Sequence, residues 1–295
     1  FSEALEDFGK VLSLNPNDLE TINNRGVVHK ELGLYDEALA DYDKAISLNP
    51  KYAEGHNNRG IALKELGRFD ESLEAYNQAI LLKPEYAEPY FNKSLQMLLL
   101  GDFKAGWPLY EWRWKTKQNT GTKIETSKPA WQGEAGENVF LWAEQGIGDE
   151  IMYSSMIPEL EKLCENLIVE CDERLIPLFE RSFSKTINFV SKQSSVPEST
   201  YDYHIPIASL PSILRLSLNS FNNTPAPYLR CEEKTVAELK ERILEGEAKK
   251  LVGLSWRSAS KIPGAHYRNI ALSELASHLH ASEVKLVSYQ YLTPE

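Results

Sequence analysis

Residues 144 to 150 read Glu-Gln-Gly-Ile-Gly-Asp-Glu and follow a short apolar run, Val139 to Ala143. Gly146 and Gly148 let a backbone turn tightly and approach a ligand with no Cβ in the way. A helical stretch follows, so the turn lies at a helix start, where free N–H groups and the dipole favour an anion. Asp149 then has two roles open to it. As an N-cap, its carboxylate satisfies an orphan N–H of the helix. As a general base, it stays ionised near neutral pH and takes a proton from a substrate hydroxyl within reach. Spacing alone leaves both open, and one residue can fill both. A dinucleotide site is a weaker reading: Ile151 stands where the third glycine of that pattern belongs, although Asp172 is placed to hold a ribose. Cys164, Cys171 and Cys231 have no metal-ligand spacing, and His204 is expected to stabilise its own loop rather than ligate anything.

The elements that must position this turn alternate. Apolar runs at 139–143, 167–171, 187–190, 251–256 and 284–288 read as strands. Between them lie helical stretches up to about Cys164 and at 173–182, 206–216, 232–245 and 271–280. Strands alternating with helices predict βαβ units around a parallel sheet, with ligands outside the carboxyl ends of the strands. Pro206, Pro211, Pro225 and Pro227 interrupt the middle and suggest a boundary near 217–231.

The first third follows another rule. Asn15-Pro16, Asn49-Pro50 and Lys83-Pro84 recur every 34 residues, as do Asn24, Asn58 and Asn92. The same period links Leu32-Gly33, Leu66-Gly67 and Leu100-Gly101, and Phe8, Tyr42, Tyr76 and Tyr110. This is the pattern of tetratricopeptide (TPR) units, helical hairpins that bury their apolar faces only by stacking. The last one ends abnormally, with Trp107, Trp112 and Trp114 inside eight residues. A capping helix packed on the next domain is the plain reading, and a ligand-stacking aromatic box the sharper one. Residues 116–137 read as a linker or wrapping loop, anchored by Trp131.

Composition excludes several classes. A net charge of -11 argues against a general phosphate-backbone binder, so no nucleic-acid partner is expected. Three cysteines do not make a disulfide framework, which favours a reducing, cytoplasmic setting. No apolar run reaches the length of a membrane span. The chain starts at Phe1, inside a repeat, and ends at Glu295 just after a strand, so it reads as the middle of a longer protein.

The stretch Leu141-Trp-Ala-Glu-Gln-Gly-Ile-Gly-Asp-Glu-Ile-Met resembles the first strand and loop of bacterial TPR-linked glycosyltransferases. These are similar to the ADP-heptose:lipopolysaccharide heptosyltransferases of glycosyltransferase family nine. Gly106 to Trp114, Pro129 to Gly133, Asp202 to Pro211, Val252 to Ser258 and Arg268 to Ile270 look like the same group. The resemblance implies a TPR solenoid followed by an α/β region of GT-B type, two facing Rossmann-like domains. The organisation would then be 1–115 TPR repeats, 116–137 linker, 138–230 acceptor-side domain and 231–295 the start of a truncated donor-side domain. It further implies inverting, metal-independent transfer from a nucleotide-sugar donor, with no other cofactor, to a protein, peptide or glycan acceptor. Asp149 would be the catalytic base, with Glu144, Gln145, Gly146 and Gly148 on the acceptor side. Ser255, Trp256, Arg257, Ser258, Lys261 and Arg268 would hold the nucleotide-sugar diphosphate, Arg257 by bidentate contacts and Lys261 as a point charge, with His266 a weaker candidate. Without that resemblance the same basic stretch is a solvated loop. Heptosyltransferases proper carry no TPR array and differ at Trp256-Arg257-Ser258, so substrate identity does not carry over. The fragment alone is expected to be inactive. The competing expectation is a non-catalytic TPR scaffold with a vestigial α/β region.

Overall fold

The computed structural model describes residues 1–117, 121, 123–224, 226–245, 250–254, 270–271, 274 and 284–288. They fall into two compact units, Phe1–Arg230 and Cys231–Glu295.

The first unit opens with seven helices: α1 (Ser2–Leu14), α2 (Leu19–Glu31), α3 (Tyr35–Leu48), α4 (Ala53–Glu65), α5 (Phe69–Leu82), α6 (Ala87–Leu99) and α7 (Phe103–Tyr110). Glycine ends each hairpin's first helix for a stated reason. Gly33, Gly67 and Gly101 adopt φ of 77°, 73° and 82°, where a side chain would be strained. At Gly33 the Leu34 N–H reaches back to the His29 carbonyl at 2.9 Å and the Gly33 N–H to Lys30 at 3.0 Å, closing the helix end. Asp18 caps α2 through the Thr21 N–H at 2.8 Å. The small residues at the 34-residue period serve packing. A Cβ on Gly26 would lie 2.7 Å from the Tyr42 ring, and one on Gly60 would lie 2.6 Å from Tyr76. Tyr42, Tyr76, Ala38, Ala62 and Ala79 are fully buried between the helices. Arg59 on α4 donates to Asp43 on α3 at 2.6 Å, and one period later Lys93 donates to Asn77 at 2.8 Å.

Pro108 lies inside α7 and removes a donor from its ladder, and the chain tightens into a 3₁₀ turn at Glu111–Lys115. That turn delivers the aromatic residues to the following α/β part of the same unit. The Trp107 indole N–H donates to the Arg215 carbonyl at 2.7 Å, and Trp114 packs on Trp142 with ring centroids 5.7 Å apart. Trp112 instead stacks on Tyr90 of α6 at 3.8 Å. Trp107 and Trp114 therefore pack on the following α/β part, as the capping-helix reading expects, while Trp112 packs back on the repeats.

The sheet comprises β1 (Glu137–Trp142), β2 (Cys164–Cys171), β3 (Asn188–Ser191) and β4 (Tyr203–Pro206), in the order β3-β2-β1-β4 and all parallel. Short helices connect them: α8 (Ile147–Tyr153), α9 (Ile157–Glu161), α10 (Ile176–Ser182) and, after β4, α11 (Pro211–Leu214). Alternation puts Val139 and Leu141 on one face with Ile157, Leu160 and Leu210, and Phe140 and Trp142 on the other with Tyr201 and Trp114. β4 was not anticipated as a strand, because Pro206 and the short apolar run hid it. Residues 129–131 run alongside its outer edge: the Trp131 N–H donates to the His204 carbonyl at 2.8 Å and the His204 N–H to Pro129 at 3.1 Å. The expected linker is thus partly built into the sheet edge, with Trp131 buried as its anchor.

The second unit holds α12 (Glu233–Leu244) and two parallel strands, β5 (Lys250–Leu254) and β6 (Val284–Ser288). Most of the helix expected at 271–280 lies outside the described residues. No helix among the described residues is long and apolar enough to cross a membrane.

Candidate functional site

β1 ends at Trp142, and the next residues cross the carboxyl edge of the sheet between β2 and β4. Strand order reverses beside β1, and such a point opens a ligand crevice in parallel sheets. Here the crevice is occupied by the chain itself. Glu144 accepts from Arg113 at both oxygens, Nη2–Oε1 at 2.6 Å and Nε–Oε2 at 3.2 Å, and also from the Ala208 N–H at 3.3 Å. Arg113 also donates to Glu111 at 2.7 Å and to the Ser209 hydroxyl at 2.8 Å. Burial pushes the Glu144 carboxyl up against the pull of Arg113, whereas the guanidinium, which proteins do not deprotonate, stays charged. Glu144, expected on the acceptor side, is committed to this pair.

Asp149 does not cap its helix. Gly146 holds the cap position with no side-chain bond, and Asp149 is the third helical residue, its own N–H donating to the Gly146 carbonyl at 3.0 Å. The cap reading fails because the helix starts at Ile147, two residues before the aspartate. Its carboxylate is exposed, with Oδ2 3.6 Å from the point where a Gly146 Cβ would stand. Neither glycine is demanded by the backbone: Gly146 has φ of -73°, and a Cβ on Gly148 would meet nothing within 4 Å.

The residue that anchors the turn is the next one, Glu150, which is fully buried. Its Oε2 accepts from the Asp172 N–H at 2.7 Å and its Oε1 forms an ion pair with Lys192 at 2.6 Å. Lys192 also donates to the Gln145 carbonyl at 3.2 Å, so one ammonium holds both ends of the turn to the end of β3. Which of two adjacent carboxylates faces inward depends on helix phase, and nothing in the local sequence sets that phase. Asp172 takes Arg174 on both oxygens at 2.8 Å, which holds its carboxyl well below the usual range and leaves it poorly placed for a ribose. Asp172, Arg174, Ser191 and Lys192 line an open polar cleft of about 290 Å³ at the ends of β2 and β3.

His204 sits in β4, where the Trp142 indole N–H donates to its Nδ1 at 3.0 Å. An indole can only donate, so Nδ1 carries no proton and the ring is neutral. Burial, and then the charge of Lys123, push its pKa down. Ser255, Trp256, Arg257, Ser258, Lys261, Arg268 and His266 lie outside the described residues.

A second surface belongs to the repeats. The Asn58 amide donates to Asn23 Oδ1 at 3.0 Å, and one period later Asn92 donates to Asn57 Oδ1 at 3.0 Å. The first helices of successive hairpins are thereby laced by a row of amides. Glu20, Glu54 and Glu88 stand four residues earlier on the same helices. None of the three has a cation within ion-pair distance among the described residues, while Arg25 and Arg59 are spent on Asp41 and Asp43.

Comparison with known proteins supports the repeats. The family patterns described as TPR repeat and tetratricopeptide repeat match residues 30–67 and 53–86. Protein FlbA of Caulobacter vibrioides is 28% identical over 204 residues, covering 63% of this chain and 34% of FlbA. The chain thus spans about a third of the length of that curated relative. Among solved structures, a crystal structure of MamA is 25% identical, covers 39% of this chain and 68% of that one, and has a TM-score of 0.35. A TPR2B-domain:pHsp70 complex of yeast Sti1 is 23% identical over 33% of this chain and 78% of that one, at 0.32.

Proposed function

We propose that the chain is a protein-docking module in which the TPR helices hold an extended segment of a partner polypeptide. The observation that supports this reading most is the amide row: Asn58 and Asn92 are held in place by their neighbours, and an amide offers both a donor and an acceptor to a peptide backbone. Glu20, Glu54 and Glu88 beside it have no cation at ion-pair distance among the described residues, although Glu88 accepts from the Lys117 N–H at 3.1 Å, and their charge favours a partner carrying lysine or arginine. Fluorescence-polarisation screening of peptides of matched length and opposite charge tests this. Basic peptides should bind, and Asn58→Ala with Asn92→Ala together should weaken binding about tenfold or more. Absence of binding by peptides of either charge would sink the reading.

A second reading is favoured by one observation, the exposed Asp149 carboxylate on a turn whose two glycines the backbone does not need. In it, the α/β part is the acceptor side of a GT-B glycosyltransferase, the repeats deliver the acceptor, and Asp149 removes the proton from an acceptor hydroxyl that attacks a nucleotide-sugar. Leaving both glycines bare suits close approach of a substrate. A nucleotide-sugar transfer screen on the protein tests it, with Asp149→Asn as control. Turnover should fall by about two to four orders of magnitude. Equal turnover of the variant removes Asp149 from the chemistry.

A further inference from the structure

A cleft of about 580 Å³ opens between α7, the 129–132 segment, β4 and α11. Its apolar walls include Pro108, Pro206, Ile213 and Leu216, and its polar side chains are Glu111, Gln132, Ser209 and Ser212. Small-molecule sites have this size, and they combine an apolar lining with a few convergent polar groups.

The direction of the hydrogen bonds fixes what those groups can still do. The Ser212 hydroxyl proton is spent on the Ser209 carbonyl at 2.7 Å. The Ser209 hydroxyl proton is spent on Glu111 Oε1 at 2.7 Å. Arg113 donates to that same Oε1, so Glu111 is fixed from behind. Ser212, Ser209 and Glu111 are left as acceptors. The charges point the same way: one buried guanidinium faces two carboxylates, Glu111 and Glu144, and no second cation lies within ion-pair distance of either among the described residues. One negative charge is uncompensated, and Glu111 is the carboxylate of the pair with the exposed face.

We propose that this cleft binds a primary ammonium group carried on a short apolar stem, with the ammonium on Glu111 and Ser212 and the stem against Pro108, Pro206 and Ile213. An ammonium has three donors and no acceptor, the complement of the acceptors that Glu111, Ser209 and Ser212 present on one side of the cleft. This site is separate from the amide row of the repeats and from the turn at Asp149.

Titration of the 295-residue chain with pentylammonium, followed by saturation-transfer NMR, tests the proposal, with 1-pentanol and pentanoate as shape-matched controls. Pentylammonium should bind about tenfold or more tightly than either control. Glu111→Gln keeps the oxygen that receives Arg113 and Ser209 but removes the charge, and should reduce pentylammonium to the level of pentanol. Ser212→Ala leaves the Arg113 contacts intact and should weaken pentylammonium several-fold while leaving pentanol unchanged; it decides the matter if the Glu111 variant does not fold. Nα-acetyl-lysine amide forms a second arm. Binding as tight as pentylammonium assigns the site to a lysine side chain of a docked protein, and much weaker binding assigns it to a free amine. Equal binding of pentylammonium and pentanol, or variants that bind pentylammonium as the parent does, overturns the proposal.

Discussion

Arg113 concentrates more consequence than any other side chain in the described structure. It fills the strand-order reversal with a charge that belongs to the end of the repeats, and it holds the Glu144 side chain, which is 2% exposed. Removing one partner of a buried pair leaves the other uncompensated, so Arg113→Met should cost about 3–5 kcal/mol in chemical denaturation. Exchanging Arg113 and Glu144 together for apolar residues should recover much of that loss. His204 gives a pH-dependent counterpart. Its folded pKa lies below the unfolded value of about 6.5, so the unfolded chain binds more protons between the two. Stability should therefore fall as pH drops through about 6.5 toward the folded value, and level off below it. His204→Asn keeps an acceptor for the Trp142 N–H and should flatten the part of the melting-temperature profile below about pH 6.5 that His204 causes; an unchanged slope would assign it to other groups.

At the scale of elements, glycines of identical type do opposite work. Gly26 and Gly60 allow Tyr42 and Tyr76 to lie against the first helix of each hairpin, and a methyl there meets ring atoms well inside contact distance. Gly60→Ala should destabilise by about 1–3 kcal/mol, since the ring is locked in a full core. Gly148→Ala should instead stabilise by about 0.5–1 kcal/mol, because it adds a better helix former in open space. Thermal melts of the two variants separate glycine kept for packing from glycine with no packing role. A Gly148→Ala protein that is more stable yet impaired in ligand binding would mark the turn as functional.

At the scale of the molecule, the helical repeats and the four-stranded sheet lie in one compact unit, Phe1–Arg230. The contacts that close it include the Trp107 bond to Arg215, Trp114 on Trp142, Phe103 against Phe221, and Arg113 on Glu144 and Ser209. Trp107→Phe leaves the Arg215 carbonyl without its donor and should cost about 1–3 kcal/mol. If that loss also separates a single melting transition into two, the indole couples the repeats to the sheet. A single transition at lower temperature would leave that coupling to Arg113 and Trp114.

The repeats were legible because stacking makes each hairpin solve one packing problem, so glycine, tyrosine and asparagine return every 34 residues. The first two parallel strands were legible for a similar reason, since burial at 139–142 and 167–169 leaves continuous apolar runs. The sequence by itself therefore determined where the layers are and that a glycine-rich turn follows the first strand. Only the tertiary structure decided what the charged residues do. Glu144, Asp149 and Glu150 lie within seven residues, yet one is paired to a distant arginine, one is exposed and one is buried under Lys192. An ion pair can join residues far apart in sequence, as Arg113 and Glu144 do across 31 positions, and its cost or benefit depends on burial. Burial is a property of the packed molecule, and no local spacing encodes it.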